Sequence, residues 1–422
     1  MLQNRESFRK LVDDWKRMMA AKTVRLLGIL NEKTAELSSS DISMYTGLAG
    51  VGYFFARLSN SKSGFFSKEV LDEATRLSQK MVRRCLRHVE TDKFHRNVSV
   101  FTSPVGAFFL GAIVSSTEGE PASSGASSRD DCVKQVLSAQ RFASVWDSGM
   151  PDEALYGRTG YLNALILLRE ANLNVPTQAV HEVVEAIIKS GTHGSHACSS
   201  DGTYRELMRD SGHEDLLMPP LMFAWHGKYY LGGAHGFAGI LLTLINVHRL
   251  FPDALNSDTL NRYVLPTIRW YSELQLESGN WPSSLGESCG RDVLVHWCHG
   301  ATGAVPLMLS AYELWHEEIF LKKALKAGDA IWARGLLHKG CGICHGSAGS
   351  GYALLDLYRF TKDTKYLYRA SKFSEWCTDC FQNRKRVPDR PYSLFEGLAG
   401  TLYFLVEILD PLAARFPLLH AA

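Results

Sequence analysis

Seven stretches of this chain are apolar on nearly every side: VGYFFARL (51–58), AFFLGAIV (107–114), YLNALILL (161–168), ILLTLINV (240–247), AVPLMLSAYELW (304–315), SGYALLDLY (350–358) and TLYFLVEIL (401–409). Wound as helices they have no polar face to offer water, so each is predicted to be buried all round. Between them lie stretches with one polar face, such as VLDEATRLSQKMVRRCLRHV (70–89), DDCVKQVLSAQRFASVW (130–146), VHEVVEAIIKS (180–190) and TKYLYRASKFSEWCTDCF (364–381). These read as amphipathic helices that cover the buried ones.

Each apolar stretch opens on the same punctuation: GLAG (47–50), GRTG (157–160), GFAG (236–239), GATG (300–303), GSAG (346–349) and GLAG (397–400), with a degenerate SPVG at 103–106. One GxxG in a chain with 35 glycines means little. Seven in register with seven buried helices predict an all-α architecture, an α/α toroid of seven inner and seven outer helices closed on itself, with the GxxG loops at one end. We expect one such domain over residues 1–422, with a helical segment in 1–42. The glycine- and serine-rich 115–131 is expected to be a flexible loop, and 190–215 a second excursion.

Composition narrows the partners. The net charge is +2, with 45% hydrophobic and 21% charged residues, so nothing in the bulk attracts nucleic acid. No apolar run has the length of an integral membrane segment. Nine cysteines without a secretory signal point to a reducing compartment, and we expect a cytoplasmic protein, free or peripherally at a membrane.

The fifth and sixth repeats carry chemistry just ahead of their glycines: HWCHG (296–300) and GICHG (342–346). Equivalent positions of adjacent repeats converge at the axis of a toroid, so Cys298, Cys344 and His345 are predicted to meet there. Two thiolates and an imidazole suit zinc, and three protein ligands leave a fourth position open. Two other readings compete. CGIC (341–344) and CTDC (377–380) have the form of a zinc ribbon but stand too far apart, and the second lies in a helical pattern. Isolated cysteines such as Cys85, Cys132, Cys198, Cys289, Cys377 and Cys380 read as buried thiols.

LVHWCHGATG, GICHGSAG, YLGGAHGFAG, ALYGRTGY and SLFEGLAGTLYFL together resemble the eukaryotic lanthionine synthetase C-like (LanC-like) proteins, from about residue 43 to the C-terminus. The resemblance implies the toroid, a zinc on Cys298, Cys344 and His345, and glutathione as ligand and co-substrate. It implies addition of the glutathione thiol to dehydroalanine or dehydrobutyrine in dehydrated, formerly phosphorylated proteins or peptides, or to other small electrophiles. Lys339 and the segment Arg386, Val387, Pro388 and Asp389 correspond to glutathione contacts, while Glu396, one residue before a repeat glycine, is placed by its position either to bind the glutathione amine or to cap the following helix. His235 and Glu153 correspond to acid/base positions, and His299 stands beside the first zinc cysteine as a second proton donor. Arg291 is a lesser candidate for offsetting negative charge. Cys341 stands where relatives carry tyrosine, and the N-terminal 40 residues match poorly. A scaffold or redox sensor that binds glutathione without turnover would retain the same residues. A toroidal glycosidase or zinc hydrolase would need a carboxylate pair or a water-activating base, and two cysteinate ligands suit thiol chemistry better.

Overall fold

The computed structural model describes residues 2–89, 94, 96–114, 128–147, 149–286, 292–383 and 385–419. Its architecture is two concentric rings of helices. The inner ring is α2 (Leu48–Ser59), α4 (Pro104–Val114), α6 (Arg158–Glu170), α8 (Phe237–Leu250), α10 (Ala301–Trp315), α12 (Ser347–Thr361) and α14 (Leu398–Glu407). The outer ring is α1 (Leu2–Lys33), α3 (Lys68–Arg87), α5 (Arg129–Ser138), α7 (Thr177–Ser200), α9 (Leu265–Glu273), α11 (Glu318–Arg334) and α13 (Thr364–Thr378). A π-helical turn, Leu260–Val264, leads into α9. Each inner helix packs on the next, and α14 packs on α2, so the toroid closes. The helix α1 covers α14, supplying the outer partner of the last repeat from the other end of the chain.

The seven motifs share one backbone device. A Cβ on the second glycine of each would meet the carbonyl oxygen six residues earlier at 1.8 to 2.3 Å, including Gly106 of the degenerate copy against Val100. The loop therefore lies directly on the helix start, which only glycine permits. The loop also caps the helix. Leu48, Arg158, Phe237, Ser347 and Leu398 donate their N–H groups to Asp41, Pro151, Tyr230, Gly340 and Pro391, each seven residues earlier. Main-chain carbonyls thus satisfy donors that a Ser or Asp side chain serves elsewhere. In SPVG, Ser103 replaces the first glycine and its Oγ accepts from the Val105 N–H instead.

Two expectations need correction. Residues 190–200 are not an excursion: α7 runs on to Ser200, and Thr203–Asp210 forms a further helix. Its glycines serve close packing, because a Cβ on Gly191 would meet the Phe223 ring at 2.7 Å and one on Gly194 the Met222 carbonyl at 2.3 Å. Of the expected 115–131 loop, 115–127 lie outside the described residues, while Ser128 caps α5 and Arg129 begins it. No described helix is long and apolar enough to cross a membrane.

Candidate functional site

The device that builds each helix start also sets out the site. In every repeat the residue just before the first motif position is partly exposed while the residues flanking it on the motif side are buried: Thr46, Thr102, Tyr156, His235, His299, His345 and Glu396. These seven residues occupy equivalent positions, each next to its GxxG turn at the same end of the toroid. One position earlier stand Tyr45, Phe101, Leu155, Ala234, Cys298, Cys344 and Phe395. Several of these are stitched across repeats by main-chain hydrogen bonds: Cys298 N to Cys344 O at 3.3 Å, Cys344 N to Phe395 O at 2.9 Å, Phe395 N to Tyr45 O at 3.1 Å and Tyr45 N to Phe101 O at 2.8 Å. The cysteines meet because a backbone belt ties their loops together.

One ligand atom from each of Cys298, Cys344 and His345 lies within 4.8 Å of the others. Among the described residues this is the group whose donor set and spacing suit a metal ion. The soft S/S/N set fits zinc, and its surroundings fit a cation as well. Burial pushes the Cys344 thiol well up, with Cys298 adding to the rise, so without a cation its thiolate has little to stabilise it. Burial pulls His345 down, but its contact with Cys344 and the nearby Glu396 outweigh this and leave it above its ordinary value. Tyr45 Oη donates to Cys344 Sγ at 2.9 Å, and its ring stacks on Phe395 with centroids 4.9 Å apart. His296, which had no predicted role, is buried with Nδ1 3.9 Å from Cys298 Sγ.

On one side of this group, between the sixth and seventh motifs, a cleft of about 140 Å³ is lined by Lys339, His345, Arg386, Pro388, Asp389 and Glu396. Val387 is 58% exposed and is not part of this lining. Arg386 and Asp389 lie 3.4 Å apart at the solvent-exposed rim, a pairing too wet to hold either strongly.

On the other side, His235 Nδ1 contacts Glu153 Oε2 at 2.7 Å. Glu153 is 2% exposed and also accepts the N–H groups of Leu155 and Tyr156. A buried carboxylate that accepts two main-chain donors stays fixed, and its bond to Nδ1 leaves Nε2 of His235 toward the mouth. His299 stands between His235 and the cysteines, its ring 6.2 Å from that of His235. Burial, with the charges of His235, Lys339 and His345, holds its imidazole down to about 4. It is therefore neutral at pH 7.

The two CxxC pairs do not form a ribbon. Cys344 belongs to the triad, whereas Cys341 contacts Cys377. Cys85, Cys132, Cys198, Cys377 and Cys380 are buried. Cys289 and Arg291 lie outside the described residues. Tyr45 is the functional candidate that the sequence reading missed. Its position two residues before a motif glycine, the register of both cysteines, is the mark by which it could have been found.

Residues 38–420 match the family described as lanthionine synthetase C-like protein. The chain is 33% identical over 403 residues to glutathione S-transferase LANCL1 of Danio rerio, covering 94% of this chain and 90% of that protein. Its fold is similar to that of nisin cyclase, with a TM-score of 0.61 at 15% identity over 96% of this chain and 94% of that one. The match across nearly the whole length, on a fold and motif register reached independently, makes this chain a member of the LanC-like family.

Proposed function

We propose that this protein adds the thiol of glutathione to the β-carbon of dehydroalanine or dehydrobutyrine residues and similar small electrophiles. The observation that carries the reading is the placement of two cysteines and a histidine within 4.8 Å of one another, between a cleft with cationic residues and a histidine seated on a buried carboxylate. Cys298, Cys344 and His345 would hold zinc. When bound, zinc supplies the Lewis acidity that brings a thiol's pKa from about 8.5 into the neutral range.

Every other part of the task falls to the chain. Glutathione carries two carboxylates and an ammonium group at neutral pH. Lys339 and Arg386 supply cations for the carboxylates, and Glu396 and Asp389 supply acceptors for the ammonium. Attack forms the S–Cβ bond, and the C=C π pair moves through the α-carbon into the adjacent carbonyl as an enolate. His235 Nε2 delivers the proton that completes the α-carbon, while Glu153 fixes the tautomer and offsets the imidazolium charge. Cys298 and Cys344 could serve as metal ligands only where thiols are kept reduced, which supports action in a reducing compartment such as the cytoplasm.

The test is mass spectrometry of a dehydroalanine peptide incubated with glutathione and the zinc-loaded protein. The expected product is the glutathione adduct, formed well above the uncatalysed rate. An adduct formed only at the uncatalysed rate sinks the transferase reading and leaves a glutathione-binding protein.

A further inference from the structure

The two flanks of the metal group differ in chemistry. Between the sixth and seventh motifs the cleft is charged, with Lys339, Arg386, Asp389 and Glu396. Between the third and fourth motifs the wall is aromatic. Tyr156 stacks nearly parallel to His235, with centroids 6.3 Å apart and 7° between planes. Trp225 extends the stack at 5.9 Å from Tyr156. Tyr230 lies 5.8 Å from His235 and 5.7 Å from His299.

This wall is built and held in place. Trp225 and Lys228 exchange both main-chain hydrogen bonds, at 2.8 and 3.0 Å, across His226 and Gly227, whose φ values are 49° and 72°. Positive φ at both central residues is the pattern of a tight hairpin turn, here spent on holding a tryptophan beside the mouth. Tyr230 is pinned to Ser284 by an isolated bridge. Yet Tyr156 remains 39% exposed, at a register where the other repeats carry Thr, His or Glu. Beyond its stacking on His235 and Trp225, the ring leaves part of its surface to solvent at the mouth.

Resting on the proposed reaction, we infer that Tyr156, Trp225, Tyr230 and His235 form the acceptor subsite, which binds a dehydroamino-acid residue of a peptide against its rings. Such a residue is planar, conjugated and uncharged, and flat π-faces pack on it without desolvating a charge. The order around the mouth agrees: aromatic wall, His235, His299, metal group, charged cleft. A donor held in the charged cleft and an acceptor held on the aromatic wall would meet at the metal group, with the α-carbon beside His235.

The test is calorimetric titration of the zinc-loaded protein, without glutathione, using a heptapeptide with one central dehydroalanine. Glutathione binding and zinc content are measured in parallel. In Trp225→Ala the peptide Kd should rise tenfold or more, and Trp225→Phe should restore most of it, while the glutathione Kd and zinc content stay within twofold. Tyr156→Leu provides the same comparison should Trp225→Ala fail to fold. Unchanged peptide affinity in the ring-deleted variants, no peptide binding to the unaltered protein, or equal weakening of peptide and glutathione would each overturn the subsite. Ring-dependent peptide binding without adduct formation would remove the proposed reaction and leave the subsite standing.

Discussion

At the residue scale, one position does different work in different repeats. The residue two before the motif is a cysteine in the fifth and sixth repeats and Tyr45 in the first, where its hydroxyl reaches the second cysteine at 2.9 Å. A hydrogen bond to a ligand atom orients that ligand and tempers its charge. Tyr45→Phe should therefore weaken zinc binding by about 10- to 100-fold, read by competition with a chromophoric chelator, while leaving the fold intact. The buried carboxylate makes a separate prediction. Glu153→Gln keeps the volume but removes the charge behind His235, so kcat should fall by about 100-fold with zinc content unchanged. Cys298, Cys344 and His345 were legible in the sequence because two CHG tripeptides stand in register. Tyr45 was not, because MYTG looks like an ordinary loop until the register is applied to it. Glu153 was legible only through family resemblance, since its contact with His235 spans 82 positions.

At the element scale, the motif glycines are places where one backbone lies on another. Gly239→Ala would drive a methyl group to 2.2 Å from the Gly233 carbonyl, and we expect a loss of about 2 kcal/mol or more in urea unfolding. Gly28→Ala, within α1 and with nothing within 4 Å, should instead be neutral or stabilising by up to about 1 kcal/mol. The inner helices could be read directly because apolarity on all sides means burial in the core where no described helix is long and apolar enough to cross a membrane. The end of α7 could not. Its SGTHG stretch carries two glycines that normally signal a break, and only the tertiary approach of Phe223 and Met222 shows why a helix uses them.

At the scale of the whole molecule, the toroid must join its first and last repeats, and an ion pair between a partly exposed arginine and a buried carboxylate stands at that seam. Arg57 of α2 meets Glu407 of α14 at 2.6 Å, with the Glu407 side chain 1% exposed. Burial raises the Glu407 carboxyl above its ordinary value, while Arg57 opposes the rise. A carboxyl raised in the folded state contributes stability at low pH that is lost as pH climbs through its raised pKa. Arg57→Met removes the opposing charge. It should destabilise the protein by about 2 kcal/mol near pH 8, less than a fully buried pair because Arg57 is partly in solvent, and by less near pH 4, toward which the raised Glu407 carboxyl takes up its proton. Urea midpoints at the two pH values check the sign. The seven-fold plan was visible in the repeats, but the closure was not. The helix α1 carries no motif, and its place against α13 rests on contacts such as Trp15 Nε1 to Glu375 Oε1 at 3.0 Å, 360 positions apart.

In the proposed reaction the Cys298, Cys344 and His345 group holds the metal on which thiol addition depends. The most direct test is metal analysis and glutathione-adduct formation measured side by side on the unaltered protein and on Cys344→Ala. We predict one zinc per chain with adduct formation in the first, and loss of both together in the second. Full adduct formation by a metal-free Cys344→Ala protein would contradict it.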